Sequence, residues 1–319
     1  MATEISLENI RGAAERIRTI AHRTPVLTSR TFDSQAGVQA FFKCENLQRG
    51  GAFKIRGASN FIYSILERER GRGVVTYSSG NHAQAVAIAA YSVGIPATIV
   101  MPEDAPRSKM EATRGYGARI VTYDRLRDDR EAIGRRIATE SGATIVPPYD
   151  HPWTIAGQGT LALELLEQVS ELEAIVVCIG GGGMLAGCSI AAHALRPGIR
   201  VFGVEPEDAN DTFLSIEQGE RVSIPPPQTI ADGLRASTPG ALTFPIIQKH
   251  VEEVVLVTDD EIRAAMKFFL TRMKLVVEPS GAVPAAALMH GKLPRDLKRV
   301  GVIISGGNVD LEFLGTLGN

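Results

Sequence analysis

The sequence predicts an α/β protein made of two open parallel-sheet domains, and three observations lead to this fold class. Short β-branched strands alternate with helical patterns along most of the chain, which is typical of parallel sheets covered by helices on both faces. The chain has 319 residues, a length that favours roughly two domains. Hydrophobic residues make up 44% of it and charged residues 22%, so a large packed core is expected.

The predicted elements follow one another in the order that such sheets require. The first clear strand is 73–77, followed by a turn and then by a helix over 82–94. Further strands are predicted over the ranges 96–102, 118–123, 174–180, 200–206 and 300–305. The most proline-dense stretch, 223–233, is short, and we interpret it as a loop and not as a domain boundary.

Charge and composition exclude several classes of protein. There are 34 Lys and Arg against 36 Asp and Glu, and this balance argues against nucleic-acid binding, which needs a basic surface. No apolar run reaches the length of a membrane span, and the N-terminal residues lack the apolar core of a secretory signal. Three cysteines with no CxxC pair favour a reducing, cytoplasmic location over a zinc site of that type.

Three strands end in glycine-rich or small polar turns. These turns are "SSGNH" (78–82), "GGGGMLAG" (180–187) and "SGGN" (305–308). Ligands of open parallel sheets bind at the carboxyl ends of the strands. We therefore expect the three turns to form one shared site.

The run of four glycines lies directly between a strand and a helix. Glycine lets backbone N–H groups approach an anion closely, and the helix N-terminus adds unpaired donors and partial positive charge. The run matches neither GxGxxG with a ribose-binding acid nor GxxxxGK[ST], so a single phosphate monoester fits better than a dinucleotide or a nucleoside triphosphate. The alternative is a tight turn that binds no ligand.

A lysine, Lys54, stands between Phe53 and Ile55 just after a glycine turn. Taken alone, it is most simply a surface lysine that begins an ordinary helix. Together with a cradle for one phosphate, it matches the needs of pyridoxal phosphate. Lysine amines form Schiff bases with this cofactor, whose ring withdraws electrons from the α-carbon of the substrate.

The residues just described belong to a longer series of blocks that resembles a known family. The blocks are "FFKCENLQRGGAFKIRGASN", "YSSGNHAQAVA", "AGQGTLALELL", "GGGGMLAG", "GVEPEDAND", "TIADG", "RMKLVVEPSGA" and "IISGGNVD". Together they resemble the fold-type II pyridoxal-phosphate enzymes, in the branch of threonine/serine dehydratases and serine racemases. The chain is also similar to the 3-hydroxyaspartate dehydratases of that branch. The resemblance covers almost the whole sequence.

The resemblance implies an architecture as well as a chemistry. It implies a large cofactor-binding domain from 1–50 and 150–319 and a small mobile domain from 51–149. Pyridoxal phosphate would lie in the cleft between them, and the small domain would close on the substrate. A homodimer is expected from the same resemblance.

It also assigns roles at the cofactor. Lys54 would bind the cofactor covalently and act as base on one face of the substrate α-carbon, and Phe53 would pack against the pyridine ring. Asn81 would hydrogen-bond the phenolic oxygen, Ser305 would face the ring nitrogen and Gly233 would lie over the other ring face. The phosphate would be bound by the backbone N–H groups of Gly180, Gly181, Gly182, Gly183 and Met184.

The first of the three turns would receive the substrate carboxylate. Its residues are Ser78, Ser79, Gly80, Asn81 and His82. Ser79 would supply an acid or base on the face of the α-carbon opposite Lys54, as in serine racemases and hydroxyaspartate dehydratases. The alternative is that Ser79 only caps the following helix.

The segment "EPEDAND" suggests a divalent cation, Mg²⁺ or else Ca²⁺ or Mn²⁺. The ligands implied by the resemblance are Glu205, the backbone carbonyl of Ala209, and Asp211. The alternative is a solvated acidic loop. Two residues depart from the pattern, because Ala52 lacks a hydroxyl common in the family and Asn210 stands where racemases often have an acid.

The resemblance implies a dehydratase that converts L-threonine or L-serine to a 2-keto acid and ammonia. L-threo-3-hydroxyaspartate ammonia-lyase and serine racemase with side elimination are the alternatives within the branch. Arg130 would then be either a substrate contact for a second carboxylate or a charge on a helix face. A β-replacement enzyme of the same fold and an amino-acid sensor without catalysis are more distant alternatives.

Overall fold

The computed structural model describes residues 5–65, 67–105, 107–124 and 127–318 of the chain. Its strands are β1 (Val26–Leu27), β2 (Gln39–Cys44), β3 (Val74–Tyr77), β4 (Ala97–Pro102), β5 (Arg119–Tyr123), β6 (Thr144–Ile145), β7 (Ala174–Cys178), β8 (Arg200–Pro206), β9 (Glu253–Val257) and β10 (Arg299–Ile304). They form two separate sheets, so the predicted α/β class with two parallel-sheet domains is confirmed.

The larger sheet has six strands in the order β1-β2-β10-β7-β8-β9. All its pairs are parallel except that of the two-residue β1, which runs antiparallel to β2 at the edge. The strand β7 is buried at every position, as expected for a central strand with helices on both faces. The strands β2 and β9 were not among the predicted ones, although both contain runs of strand-forming residues.

The smaller sheet has four parallel strands in the order β5-β4-β3-β6. Its strands come from residues 74–145, within the segment assigned to the smaller domain. The predicted strands 73–77, 96–102 and 118–123 correspond to β3, β4 and β5 to within one residue at each end. The short β6 escaped prediction because two residues carry little periodic signal.

Helices pack against the strands of both sheets. They are α1 (Leu7–Ile17), α2 (Arg30–Ala36), α3 (Lys54–Ser64), α4 (Glu67–Arg70), α5 (Asn81–Ser92), α6 (Arg107–Gly115), α7 (Arg130–Ser141), α8 (Pro152–Gln168), α9 (Gly183–Leu195), α10 (Asp211–Gln218), α11 (Thr243–His250), α12 (Asp259–Phe268), α13 (Pro279–Met289) and α14 (Leu311–Gly315). Single turns of 3₁₀ helix lie at Glu45–Leu47, Arg49–Gly51, Asp232–Leu234 and Thr316–Gly318, and a π-helical turn at Phe269–Met273. Within the described part of the chain, no helix is both long and apolar enough to cross a membrane.

Local sequence explains where several of these helices begin. Ser6 and Thr258 form capping boxes at α1 and α12, with Asn9 and Glu261 as the reciprocal partners. The long α8 begins with a proline at its first position, where the missing N–H has no intrahelical partner in any case.

The helix α3 packs between α8 and α5 and so contacts the helices of both sheets. Its neighbour α5 is buried without interruption from His82 to Ala90, and five of those nine residues are alanines. Small side chains on every face let α5 lie close to its neighbours. Through α3, the two sheets and their cores are joined at the level of Lys54.

Candidate active site

The turns after β3 and β10 are joined by an amide and carboxylate cluster. Asn81 Nδ2 donates to Glu278 Oε1 over 2.7 Å, and Asn308 Nδ2 donates to Asn81 Oδ1 over 2.9 Å. The second oxygen of Glu278 accepts from the backbone N–H of Asn308 at 3.1 Å. These hydrogen bonds connect the first turn of α5 to the larger sheet, so two of the three predicted turns do come together.

Lys54 lies at the start of α3, close to the turn after β10. The backbone N–H of Phe53 donates to the carbonyl oxygen of Ser305 over 3.0 Å, and Ala52 forms a bridge to Gly306. The Nζ atom of Lys54 donates to the carbonyl oxygen of Pro148 over 2.8 Å and lies 5.0 Å from the ring centre of Phe53. Burial lowers the pKa of Lys54 to about 8, because the charged amine is poorly solvated there.

The glycine loop after β7 is closely enclosed, and side chains there would not fit. A Cβ atom added to Gly181 would lie 2.3 Å from the ring of Tyr149, and one added to Gly183 would lie 2.5 Å from the Gln158 amide oxygen. Gly182 has a φ of 89°, a conformation that L side chains rarely adopt. The loop therefore requires glycine at these positions for both space and backbone conformation.

The same loop offers donors for an anion. The helix α9 begins at Gly183, and its first N–H groups have no intrahelical acceptors. The carbonyl oxygen of Gly181 accepts from Thr243 Oγ1 over 2.7 Å on the side of α11. Gly233 is close by, because a Cβ on Gly180 would lie 3.1 Å from its carbonyl oxygen.

The third turn begins with Ser305, which is 2% exposed. Its hydroxyl lies near the thiol of Cys178, the last residue of β7, where it opposes the rise that burial gives the pKa of this thiol, so the turns after β7 and β10 are neighbours. Burial raises the pKa of Cys178 to about 12, and the thiol is therefore neutral at ordinary pH. All three predicted turns thus meet around Lys54.

These features fit pyridoxal phosphate. A partly enclosed amine with a lowered pKa suits bonding to an aldehyde carbon, and a glycine loop at a helix N-terminus suits a phosphate. The amide of Asn81 and the hydroxyl of Ser305 are neutral groups beside them, able to donate to or accept from ring substituents.

The turn from Ser78 to His82 leads directly into α5. Gly80 is the N-cap of α5 and no side chain caps this helix, so the alternative role of Ser79 as a cap is not seen. The hydroxyl of Ser78 accepts from the N–H of Gly80 at 3.3 Å. The first N–H groups of α5 are left for another acceptor, as a substrate carboxylate would require.

The side chain of His82 points to the protein interior. It is 3% exposed, and its Nε2 lies 3.0 Å from the carbonyl oxygen of Val146. Because a carbonyl can only accept, Nε2 carries the proton. Burial, aided by the nearby charge of Lys54, lowers the pKa of His82 to about 3, so its ring is neutral.

The predicted metal residues lie together after β8. Glu205, Ala209 and Asp211 are each 0% exposed. Glu205 accepts from the N–H groups of Thr212 and Phe213 at 3.1 and 2.8 Å, whereas both carboxylate oxygens of Asp211 lack a hydrogen-bond partner within the described residues. Burial raises the pKa of Asp211 to about 7, and burial with the neighbouring Asp211 raises that of Glu205. Two neighbouring buried carboxylates are compatible with a bound divalent cation, although the described residues contain no cluster of three or more His, Cys, Asp or Glu side chains that could hold one.

Several residues at the site were not singled out from the sequence. Glu278 and Asn308 lie inside the blocks that carry the resemblance, and only their position beside a proline or glycine turn could have drawn attention to them. Pro148 and Tyr149 follow a short strand, and their contacts with Lys54 and Gly181 carry no local signal. Arg130 is exposed at the first position of α7.

Comparison with known proteins identifies the family of the chain. A family model described as pyridoxal-phosphate dependent enzyme matches residues 17–306. The chain is 51% identical over 312 residues to an L-threo-3-hydroxyaspartate ammonia-lyase of a Pseudomonas species, covering 98% of each chain. It is 49% identical over 305 residues to a serine racemase of Schizosaccharomyces pombe, covering 96% of this chain and 94% of the relative.

A solved structure shows the same fold. The structure of maize serine racemase superposes with a TM-score of 0.94 at 45% identity, covering 98% of this chain and 96% of the other. Because the family model spans most of the sequence and the relatives align along nearly their whole length, the chain belongs to the family of pyridoxal-phosphate-dependent enzymes.

Proposed function

We propose that the protein is an ammonia-lyase that converts L-serine or L-threonine to the corresponding 2-keto acid and ammonia. The observation that carries this proposal is the position of Lys54, whose amine of lowered pKa lies where the three turns meet. A base of this kind, beside a helix N-terminus that accepts a carboxylate, suits removal of the α-proton of an amino acid.

The cofactor would be held by residues of all three turns. Lys54 would bind its aldehyde carbon, Asn81 would hydrogen-bond its phenolic oxygen and Ser305 would face its ring nitrogen. Phe53 and Gly233 would lie on the two ring faces. The phosphate would be held by the backbone N–H groups of Gly180, Gly181, Gly182, Gly183 and Met184. When bound, pyridoxal phosphate withdraws electrons from the α-carbon and makes the α-proton acidic.

The substrate carboxylate would bind at the N-terminus of α5, where Ser78 to His82 provide backbone donors. Ser305 would present a neutral hydroxyl, and not a carboxylate, to the ring nitrogen of the cofactor, a setting that would favour loss of the β-hydroxyl from the substrate. The ring of His82 hydrogen-bonds the carbonyl of Val146 through Nε2, so this residue would contribute its backbone N–H to the carboxylate site.

Lys54 and Ser79 would act on opposite faces of the α-carbon. With substrate bound, Lys54 would accept the α-proton at Nζ, and the carbonyl of Pro148 would orient this amine. A pKa of about 8 leaves a useful fraction of the amine neutral near physiological pH. Ser79, whose hydroxyl does not cap α5, would donate or accept a proton on the second face.

A divalent cation, most simply Mg²⁺, would bind Glu205, the carbonyl of Ala209 and Asp211. Support comes from the two buried carboxylates and from the oxygens of Asp211, which have no hydrogen-bond partner in the part of the chain that the structure describes. This cation would neutralise the acidic pair and stabilise the loop after β8. A homodimer and a cytoplasmic location stay predictions from the sequence.

L-threo-3-hydroxyaspartate is the second candidate substrate. The Pseudomonas relative named for this activity is 51% identical to the chain. A second carboxylate on the substrate needs a cation near the site, and Arg130 is exposed close to Tyr77 at the end of β3. Burial raises the pKa of Tyr77, and among nearby charges Arg130 opposes this rise.

The test is keto-acid release from L-serine, L-threonine and L-threo-3-hydroxyaspartate, with pyridoxal phosphate and Mg²⁺ present. Lys54→Ala serves as the blank. Fastest release from serine or threonine, with an inactive blank, supports the proposal. If hydroxyaspartate is fastest and Arg130→Ala loses that preference, the second candidate replaces the first. No keto acid from any of the three refutes elimination, and D-serine formation then becomes the activity to assay.

A further inference from the structure

Two cations and two carboxylates form a cluster beneath the active site. The Arg56 cluster consists of Lys43, Glu45, Arg56 and Glu164, and its side chains are exposed by 0, 0, 1 and 18%, respectively. The formal charges cancel. Burying four charges is costly unless each is paired and hydrogen-bonded, so the geometry of the cluster has to be well defined.

Arg56 occupies the centre of this cluster. Its Nε and Nη2 atoms donate to the two oxygens of Glu45 over 2.7 and 2.9 Å. Its Nη1 and Nη2 atoms donate to the two oxygens of Glu164 over 2.8 and 2.9 Å. Thr160 Oγ1 accepts the remaining N–H of Nη1 at 3.2 Å, and the carbonyl of His22, 3.1 Å from Nη2, shares an N–H of that atom with a carboxylate. We call these two-point contacts of the guanidinium with Glu45 and with Glu164 the forks of Arg56. Because the guanidinium is planar, such contacts fix its orientation as well as its distance.

The partners of Arg56 belong to the larger sheet and its helices. Glu45 directly follows β2, which pairs with β10, and Glu164 lies on α8. Arg56 itself lies in the first turn of α3, two residues after Lys54. The forks therefore connect the turn that carries Lys54 to the frame that carries Ser305.

Close backbone packing reinforces this connection. A Cβ on Gly157 would lie 2.5 Å from the carbonyl oxygen of Arg56, and one on Gly57 would lie 3.0 Å from that of Thr154. The first turn of α3 is thus in backbone contact with α8 at the level of Arg56. Ser79, in contrast, follows β3 of the smaller sheet.

We propose that Arg56 is a positioning residue that holds the first turn of α3 against β2 and α8 and thereby keeps Lys54 in register with the turns after β7 and β10. The proposal rests on the proposed role of Lys54. Stability alone is a weaker explanation, because apolar residues of similar volume often stabilise a core as well as buried ion pairs do.

The chain supplies a matched control in Lys43. Its Nζ donates to Glu164 at 2.6 Å, to the carbonyl of Thr24 at 2.8 Å and to Gln168 at 2.9 Å. Lys43 lies on β2, and none of these three acceptors is on α3. Removing it costs the cluster one cation, as removing Arg56 does, but leaves both forks of Arg56 in place.

The experiment compares Arg56→Met, Arg56→Lys and Lys43→Met in the full-length holoenzyme. Thermal unfolding reports the structural cost of each change. The second measurement is the rate at which cofactor-stripped protein regains the visible band of lysine-bound pyridoxal phosphate, which needs no substrate. The third is kcat and KM, normalised to bound cofactor, for the fastest of the three substrates. Arg56→Lys keeps the charge and tests the forks if Arg56→Met does not fold.

We expect both methionine variants to lower the unfolding temperature. We expect only the Arg56 variants to slow cofactor bonding and to lower kcat, by about 10²-fold for a misplaced catalytic group, with KM little changed. If Arg56→Lys bonds cofactor and turns over as the parent does, or if Lys43→Met lowers both rates equally, the positioning role is refuted. If the parent protein binds cofactor but releases no keto acid, the proposed ammonia-lyase function is refuted. The positioning role of Arg56 is then still tested by the rate of cofactor bonding.

Discussion

The amide nitrogen of Asn81 lies 2.7 Å from the carboxylate of Glu278, and this hydrogen bond joins residues 197 positions apart in the sequence. Asn81 is the first residue of α5 and Glu278 is the N-cap of α13, so the bond links a helix of the smaller sheet to one of the larger sheet. Asn81 therefore has a fixed orientation before any cofactor binds, with Asn308 holding its amide oxygen.

Replacing this carboxylate is expected to weaken cofactor binding. In Glu278→Gln, a side-chain NH₂ group would face either Asn81 Nδ2 or the N–H of Asn308, and both of these are donors. Loss of one buried hydrogen bond predicts a pyridoxal phosphate Kd about tenfold higher. Spectroscopic titration measures it, with the exposed Glu217→Gln as control. An unchanged Kd would mean that Asn81 does not depend on Glu278.

Much of this site could be predicted from local sequence, and the linking contacts could not. The turns at 78–82, 180–187 and 305–308 follow strands, and strand-end geometry is sufficient to bring such turns together. Hydrogen bonds such as Asn81 to Glu278, or Lys54 to Pro148, depend on how two sheets pack and leave no trace in periodicity. The strand β9 was not predicted although its residues are strand-forming, because strand preference depends on pairing with a neighbouring strand, and the local sequence does not show that pairing.

The buried amine of Lys54 predicts a dependence of stability on pH in the cofactor-free protein. Its pKa is about 8 in the folded protein against 10.5 unfolded. Between these two pH values the unfolded chain binds more protons, so Lys54 makes the free energy of unfolding rise with pH. Below pH 8 the amine is charged in both states, and the full free-energy cost of burying that charge lowers stability. Lys54→Met removes the cost and should be more stable at pH 7, by ~1–3 kcal/mol.

Chemical denaturation of the cofactor-free forms at pH 7 and pH 10 measures this effect. The difference in unfolding free energy between Lys54→Met and the parent should shrink as pH rises from 8 towards 10.5. A difference that is constant over this range would contradict a lowered pKa.

The enclosure of the glycine loop predicts a steric effect at Gly181. In Gly181→Ala the new methyl group would lie 2.3 Å from the Tyr149 ring, and the loop has to shift. Overpacking of this kind costs about 1–3 kcal/mol, so cofactor affinity should fall by roughly 10–100-fold. Equilibrium titration tests this, and Tyr149→Ala in the same chain should recover part of the loss. Gly12→Ala is the matched control, because a Cβ there has no atom within 4 Å.

The acidic pair predicts a response to divalent cations. Adding Mg²⁺ after chelation should raise the unfolding temperature of the parent, by an amount that grows with the logarithm of Mg²⁺ concentration above the Kd. Asp211→Asn should abolish the response, since it replaces the carboxylate whose oxygens have no other partner among the described residues. The exposed Asp208→Asn, in the same loop, should keep it. An equal Mg²⁺ response in Asp211→Asn and the parent would place the cation elsewhere.

Ser79 offers a test of which faces of the α-carbon the enzyme uses. Its hydroxyl makes no capping hydrogen bond to α5, so Ser79→Ala should unfold at nearly the same temperature as the parent. Removal of a positioned acid or base typically costs about 10²–10⁴-fold, and this loss should fall on conversion between L- and D-serine. Keto-acid release from the L-substrate, which needs the base Lys54, should persist within a small factor. Chiral chromatography and keto-acid assay on the same samples separate the two reactions.

If the rates of both reactions fall together in Ser79→Ala, Ser79 serves substrate binding and does not act on the second face of the α-carbon. If neither falls, Lys54 is sufficient for the chemistry, and any exchange of configuration has to use another donor.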